Sequence, residues 1–214
     1  MGLSTALSSA LSGLRLTQTG LEVISGNVAN AESPGYTRKV VQQSAVVAGG
    51  RTVGVSVDQI NRQLDLQLQA RWRTEMSGGS YTELLASYAD RLDSLYGAPG
   101  RTASLDSLVS NFSSSLESLA TTPESNSARL GVIGAAESLV DQLNTLSEQV
   151  QAMRVEAETG LASATKTAND ALKNIARLNE QIMNEMAAGR EPSSLLDQRD
   201  TYVDTLAGLM DIRV

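Results

Sequence analysis

Two residue types are missing from this sequence of 214 residues: cysteine and histidine are both absent. Without cysteine there are no disulfides and no thiolate chemistry, and cysteine usage says nothing of the redox compartment. Without histidine the commonest general base and metal ligand is gone, so neither a Ser-His-Asp triad nor the common zinc sites can be built. Aromatic residues are scarce at 3%, although 41% of the chain is hydrophobic. That content suffices for a core of normal size, but with so few large rings the expected packing is thin, helix against helix. Basic charge is also short, with 17 Lys and Arg against 24 Asp and Glu, a net charge of -7 and no basic run. Binding to nucleic acid runs on clustered cations that release counterions from phosphate, so that class is excluded. Long apolar runs are lacking too. Ser, Thr, Gly and Gln interrupt the opening segment and no basic stretch precedes it, so no Sec-type signal peptide and no membrane insertion are read. Phosphate loops fail as well, because Gly49-Gly50 and Gly54 lie between β-like runs and no Gly-Lys-Ser or Gly-Lys-Thr follows. These absences predict no catalytic residues, no cofactor and no metal: the chain is not read as an enzyme.

What is present is heptad order. Leu3, Leu7, Ala10, Leu14, Thr17, Leu21, Ile24 and Val28 step by four and three, the seam of a coiled-coil helix. Before Glu32 the only charged side chains are Arg15 and Glu22, and the other faces are mostly Ser, Thr, Gly and Gln. A solvated coiled coil carries far more charge, so the back of this helix is expected to face other protein. The apolar stripe itself, Leu3, Leu7, Leu14, Leu21, Ile24 and Val28, has no evident partner within the chain and is the candidate assembly interface. The helix should stop near Asn30, where Ser33-Pro34-Gly35-Tyr36 spells a type II turn with positive φ at Gly35. Valines 40, 41, 46 and 47 before Gly49-Gly50, and 53, 55 and 57 after it, predict a small β-hairpin within 36–58.

Helix is expected to return from about Gln59 to Tyr96, with a seam on Tyr81, Leu85, Tyr88, Leu92 and Leu95 and a weak point at Gly78-Gly79. Gly97-Ala98-Pro99-Gly100 breaks it, and a shorter amphipathic helix follows on Leu105, Leu108, Phe112, Leu116 and Leu119. The longest element, from about Ser127 to Ala188, has a seam from Val132 to Ile182 with a stutter near Gly160. At the usual rise it would measure roughly 90 Å. After Gly189 a last helix opens at Pro192, with Ser194 and Asp197 set as a partial capping box. Asp197 and Asp200, one turn apart, could pass for an acid-base or metal pair. Their place early in a helix favours a dipole role instead, with Arg199 as a surface ion-pair partner. Asn111-Phe112-Ser113 matches a glycosylation acceptor but falls in a helical pattern. The expected layout is a heptad helix and turn (1–35), a hairpin or extended connector (36–58), an elongated antiparallel helical bundle (59–210), and the start of a strand of a following domain (211–214). The fold class is mainly α.

The opening segment closely resembles the signature of bacterial flagellar axial proteins, the superfamily of rod, hook and junction subunits. In these a Leu-, Ala- and Ser-rich heptad helix runs into an Asn-x-Ala-Asn-x-x-(Ser/Thr)-Pro-Gly-Tyr turn, here Asn27-Val28-Ala29-Asn30-Ala31-Glu32-Ser33-Pro34-Gly35-Tyr36. Tyr36-Thr37-Arg38, and Leu195-Leu196-Asp197-Gln198-Arg199-Asp200 with the Val203 and Leu206 stripe, further resemble the hook-associated protein 1 family of hook-filament junction subunits. Signature residues Asn27, Asn30, Pro34, Gly35 and Tyr36 carry the likeness. It implies a structural role joining hook to filament and assembly into a ring of like subunits between hook protein and the next hook-associated protein. It also implies synthesis in the cytoplasm and delivery by the flagellar type III export apparatus to the extracellular flagellum. Another axial subunit of rod or hook, or a non-flagellar helical-bundle scaffold, are the alternatives. The long helices argue against the first and the Pro34-Gly35-Tyr36 turn against the second.

Overall fold

The structure is a computed structural model that describes residues 2–97 and 104–213. Among these described residues five helices and one hairpin follow in the order α1 (Leu3–Ala29), β1 (Lys39–Ala48), β2 (Arg51–Arg62), α2 (Leu66–Tyr96), α3 (Leu105–Thr121), α4 (Asn126–Ala187) and α5 (Ser193–Ala207). The fold is mainly α with a two-stranded antiparallel sheet near the amino terminus, as the periodicities predict. Two compact units divide the chain: residues 1–78 with 166–214, and residues 79–165. The single helical region expected over 59–210 is therefore split, the first cut falling at the glycine pair Gly78-Gly79. Of the expected break at Gly97–Gly100, Ala98, Pro99 and Gly100 lie outside the described residues, while Gly97 takes φ 76°.

In the first unit α1 lies against the hairpin, chiefly along β2. Its inward face is small and weakly polar: Ser12, Gly13, Leu16, Thr19, Gly20, Val23 and Gly26 are partly covered. Small residues let a helix approach a sheet closely, and a Cβ placed on buried Gly54 would meet Ser12 Oγ at 2.7 Å. That hydroxyl accepts from the Val55 amide at 3.2 Å and donates to the Ser9 carbonyl at 2.8 Å. The back of α1 does face protein, as its lack of charge predicts, but the protein is this chain's own hairpin.

The hairpin turns at Gly49 and Gly50, with φ 61° and 74°, the double positive φ that a two-residue loop matching strand twist requires. β2 runs on to Arg62, where the sequence reading placed helix from Gln59. Pairing continues there, Gln42 to Gln59, Val41 to Ile60 and Lys39 to Arg62, and Gln42 Oε1 accepts from Gln59 at 3.2 Å and Asn61 at 2.6 Å. α2 starts only after Asp65, whose carboxylate accepts the Gln67 and Leu68 amides at 3.0 Å each, an N-cap.

α4 and α5 build the core of this unit. Ala168, Ala171 and Leu206 are buried together with Ile175, Tyr202 and Ile212 against them, and Leu178, Ile182, Val203 and Ala207 are buried as well. α5 opens at Pro192 with no side-chain cap, so the expected Ser194–Asp197 capping box does not form. Asp211 to Arg213 carry no strand, and Val214 lies outside the described residues.

The second unit holds the latter part of α2, α3 and the first part of α4. The α4 seam reads correctly from Val132 to Met153, with Leu146 and Met153 buried, whereas Leu143 is exposed. Leu161, beside the stutter, is exposed too, and α4 continues unbroken through Gly160. Along α2 only Tyr88 and Leu95 of the expected seam are partly covered, and Tyr81, Leu85 and Leu92 stay exposed. Arg91 grips Glu156 of α4 with two hydrogen bonds of 3.0 and 2.7 Å, which hold that carboxyl below its ordinary range.

Candidate functional site

The signature turn forms as its sequence dictates. Tyr36 N donates to the Ser33 carbonyl at 3.2 Å, Pro34 occupies the second position, and Gly35 takes φ 77°. Each asparagine before it has a separate task. Asn27 pairs with Lys39 as a strand residue would, its Nδ2 donating to the Lys39 carbonyl at 2.8 Å while its Oδ1 accepts the Lys39 amide at 2.9 Å. The same Oδ1 accepts the Tyr36 hydroxyl at 3.0 Å. Asn30 closes the helix end, donating to the Gly26 carbonyl at 3.0 Å and accepting Ser33 Oγ at 3.2 Å. An amide carries a donor and an acceptor on the two arms of one rigid fork, whereas an ionised Asp lacks the donor and Ser offers both on a single oxygen. Lys39 then lays its ammonium over the Tyr36 ring, 4.1 Å from the centroid.

This turn is docked on α5. A Cβ on Gly35 would clash with Thr201 Oγ1, so glycine is required there twice, by its φ and by its neighbour. Gly35→Ala is expected to cost about 1–3 kcal/mol for the left-handed conformation alone. A Gly35→Ala/Thr201→Ala double variant should recover the clash but not that cost, a comparison thermal melting can make.

Behind the turn, charged side chains form a clasp. Asp197, Asp200 and Asp204 stand at i, i+3 and i+7, one face of α5. Asp197 accepts the Thr37 hydroxyl and pairs with Lys39 at 3.0 Å and Arg62 at 3.1 Å. Arg62 bridges on to Asp200 at 2.7 Å, and Arg73 of α2 joins Asp204 at 2.7 Å and Asp200 at 3.8 Å. Arg199 reaches Asp200 at 3.3 Å. Asp197 and Asp200 are each only 6% exposed and Arg73 5%. The expectation that Asp197 and Asp200 serve the helix dipole is thus corrected: no acidic residue sits in the first turn of α5, and both are buried in ion pairs. Lys39 and Arg62 face each other across the sheet, a like-charge pair that would repel without the carboxylates between them. Lys39, Arg62, Arg73, Thr201 and Asp204 were not singled out from the sequence. The i, i+3, i+7 acids of a helix with a buried apolar face were the available signal.

The apolar stripe of α1 stands apart from this site. Leu3, Leu7, Leu14, Leu21, Ile24 and Val28 are 91, 62, 56, 61, 60 and 73% exposed. Among the described residues no group of acids, histidines or cysteines could hold a metal, and no helix is long and apolar enough to cross a membrane.

Comparison with known proteins bears on both regions. Residues 89–214 match the family described as the flagellar hook-associated protein FlgK helical domain, and residues 7–37 match that of the flagella basal body rod protein. Flagellar hook-associated protein 1 of Salmonella typhimurium is 29% identical over 219 residues, covering 99% of this chain and 39% of that protein. Its Escherichia coli namesake is 28% identical over 99% of this chain and 40% of the protein, and that of Bacillus subtilis 27% identical over 100% and 44%. The chain thus spans about two fifths of the length of these relatives. With more than half of its residues matched to that helical domain, the chain belongs to the flagellar hook-associated protein FlgK family, a family of flagellar structural proteins.

Proposed function

We propose that this protein is a structural subunit of the extracellular bacterial flagellum that joins hook to filament, assembling as a ring through the exposed stripe of α1. The stripe is the observation that carries the reading: six large apolar side chains lie exposed on a helix whose other face is already docked. Burying such a side chain is worth about 1.5–3 kcal/mol, so the helix gains from a neighbour along its whole length. Its partners in this reading are α1 helices of like subunits, with hook protein below and the next hook-associated protein above. The signature turn and clasp hold α1 and the hairpin on α5, so that load on the axial stripe passes into the helical units. Export through the flagellar type III pathway fits a segment with many Gly and Ser residues, whose low helix propensity favours threading before assembly. A plain rod or hook subunit would account for the match over residues 7–37 but not for that over 89–214.

No native cysteine lies within these 214 residues to compete with an introduced one. Single substitutions Leu7→Cys, Leu14→Cys and Leu21→Cys in the full-length subunit should react readily with a maleimide before assembly. In isolated flagella labelling should slow on the order of a hundredfold, as for a buried thiol. Equal labelling in both states would reject the stripe as the assembly surface.

A further inference from the structure

The clasp holds more positive than negative charge. Its ion pairs join Lys39, Arg62, Arg73 and Arg199 to Asp197, Asp200 and Asp204, four cations to three carboxylates. The Arg73 side chain is 6% exposed, yet its Nη2 makes no hydrogen bond among the described residues, and Asp200 Oδ1 is 3.8 Å away. Beside this cluster opens a cleft of about 380 Å³. Arg62, Arg73 and Arg199 line one part of it and Asn179 another, while Leu66 and Ile175 supply aliphatic wall. In a chain of net charge -7, three guanidiniums against the single lining carboxylate of Asp200 are a local reversal of sign.

A partly neutralised, half-buried cation cluster gains from one more anion, and a guanidinium's planar fork suits a carboxylate. A small inorganic ion would make no use of the aliphatic wall, whereas an Asp or Glu side chain brings methylenes to cover it. In a ring the lateral neighbours of a subunit are its own copies, whose corresponding 214 residues carry 24 acidic side chains against 17 basic ones, a charge complement to this cleft. We propose that this cleft receives a carboxylate side chain from a second copy of the subunit, making a charged contact between neighbours distinct from the α1 stripe. The inference rests on the reading that like subunits assemble side by side.

Leu66, 67% exposed at the cleft, is the place for a probe. Two differently tagged full-length copies are co-expressed, one with the photo-crosslinker p-benzoylphenylalanine at Leu66, and isolated flagella are irradiated. The expected product carries both tags, and mass spectrometry places the link beside an Asp or Glu. Arg199, with a side chain 32% exposed, can be changed without opening the core. Arg199→Glu should lower the yield on the order of tenfold, Arg199→Lys should keep most of it, and a yield loss in Arg199→Glu larger than in Arg199→Ala separates repulsion of the incoming carboxylate from the lost pair with Asp200. Links only within one copy or only to another protein, or a yield indifferent to Arg199→Glu, would overturn the proposal. Maleimide protection of the α1 cysteines in the same flagella separates the failures: stripe protected but cleft unlinked defeats this inference alone, stripe unprotected defeats the assembly reading beneath it.

Discussion

Leu14→Asp is expected to leave the isolated subunit folded, with melting within about 0.5 kcal/mol of the parent, and to abolish its incorporation into flagella. Leu14 is 56% exposed and lies on the stripe, not on the face that meets the hairpin, so in the free subunit the new carboxylate stands in water. On assembly the same position would be enclosed among apolar side chains. There the variant forgoes about 1.5–3 kcal/mol of burial and adds a carboxylate with no partner, a penalty of several kcal/mol more. At about 1.4 kcal/mol per factor of ten, the affinity of one subunit for its neighbours falls by three orders of magnitude or more. Leu16→Asp is the informative control, because Leu16 is partly covered on the hairpin side. That variant should destabilise the free subunit itself. Immunoblots of sheared flagella, beside thermal melts of the purified proteins, measure both quantities. Leu14→Asp present at parental level would place the assembly surface elsewhere.

The contrast between residues 14 and 16 shows what the sequence could and could not reveal. Heptad spacing exposed the stripe, and Pro34-Gly35 exposed the turn, because both signals are local: they depend on a period or on one residue's allowed φ. The helix ends near Asn30, Tyr96 and Ala188 were legible for the same reason. What faces the back of α1 was not, since its small residues are equally suited to a neighbouring subunit and to the hairpin, and only the tertiary approach at Gly54 decides between them. The extension of β2 to Arg62 was missed because Gln59 and Asn61 are polar and break the valine alternation of positions 53, 55 and 57 that marks the strand. Their strand role depends on Gln42 across the hairpin, and the Asp65 cap that sets the true start of α2 was the local clue. The clasp was hidden further still. Asp197 lies 158 residues from Lys39 and 135 from Arg62, and no periodicity links a charge on one element to a countercharge on another.

Asp200→Ala is expected to destabilise the first unit by about 3–5 kcal/mol, the cost of breaking a buried ion pair from one side. Asp200 is 6% exposed and is the node of the clasp, within 2.7 Å of Arg62, 3.3 Å of Arg199 and 3.8 Å of Arg73. Its removal leaves Arg62 and Arg73 with only Asp197 and Asp204, and the surplus of positive charge rises from one to two. Arg199 can swing into solvent, but Arg73 is 5% exposed and has nowhere to go. The damage should spread along the chain of pairs. Arg62 shares Asp197 with Lys39, and the Lys39 backbone is what Asn27 reads, so loosening Arg62 should weaken the anchorage of α1 itself. Trp72, the only tryptophan and the residue next to Arg73, gives a local fluorescence probe for urea unfolding. Amide exchange at Lys39 gives a distant one. Both should move together in Asp200→Ala. A cycle with Arg62→Ala should return a coupling of about 0.5–3 kcal/mol, since the two residues share one network. A loss below about 1 kcal/mol, or Trp72 responding while the Lys39 amide stays protected, would mean that α1 is held by its hairpin alone and that load on the stripe reaches α5 by another route.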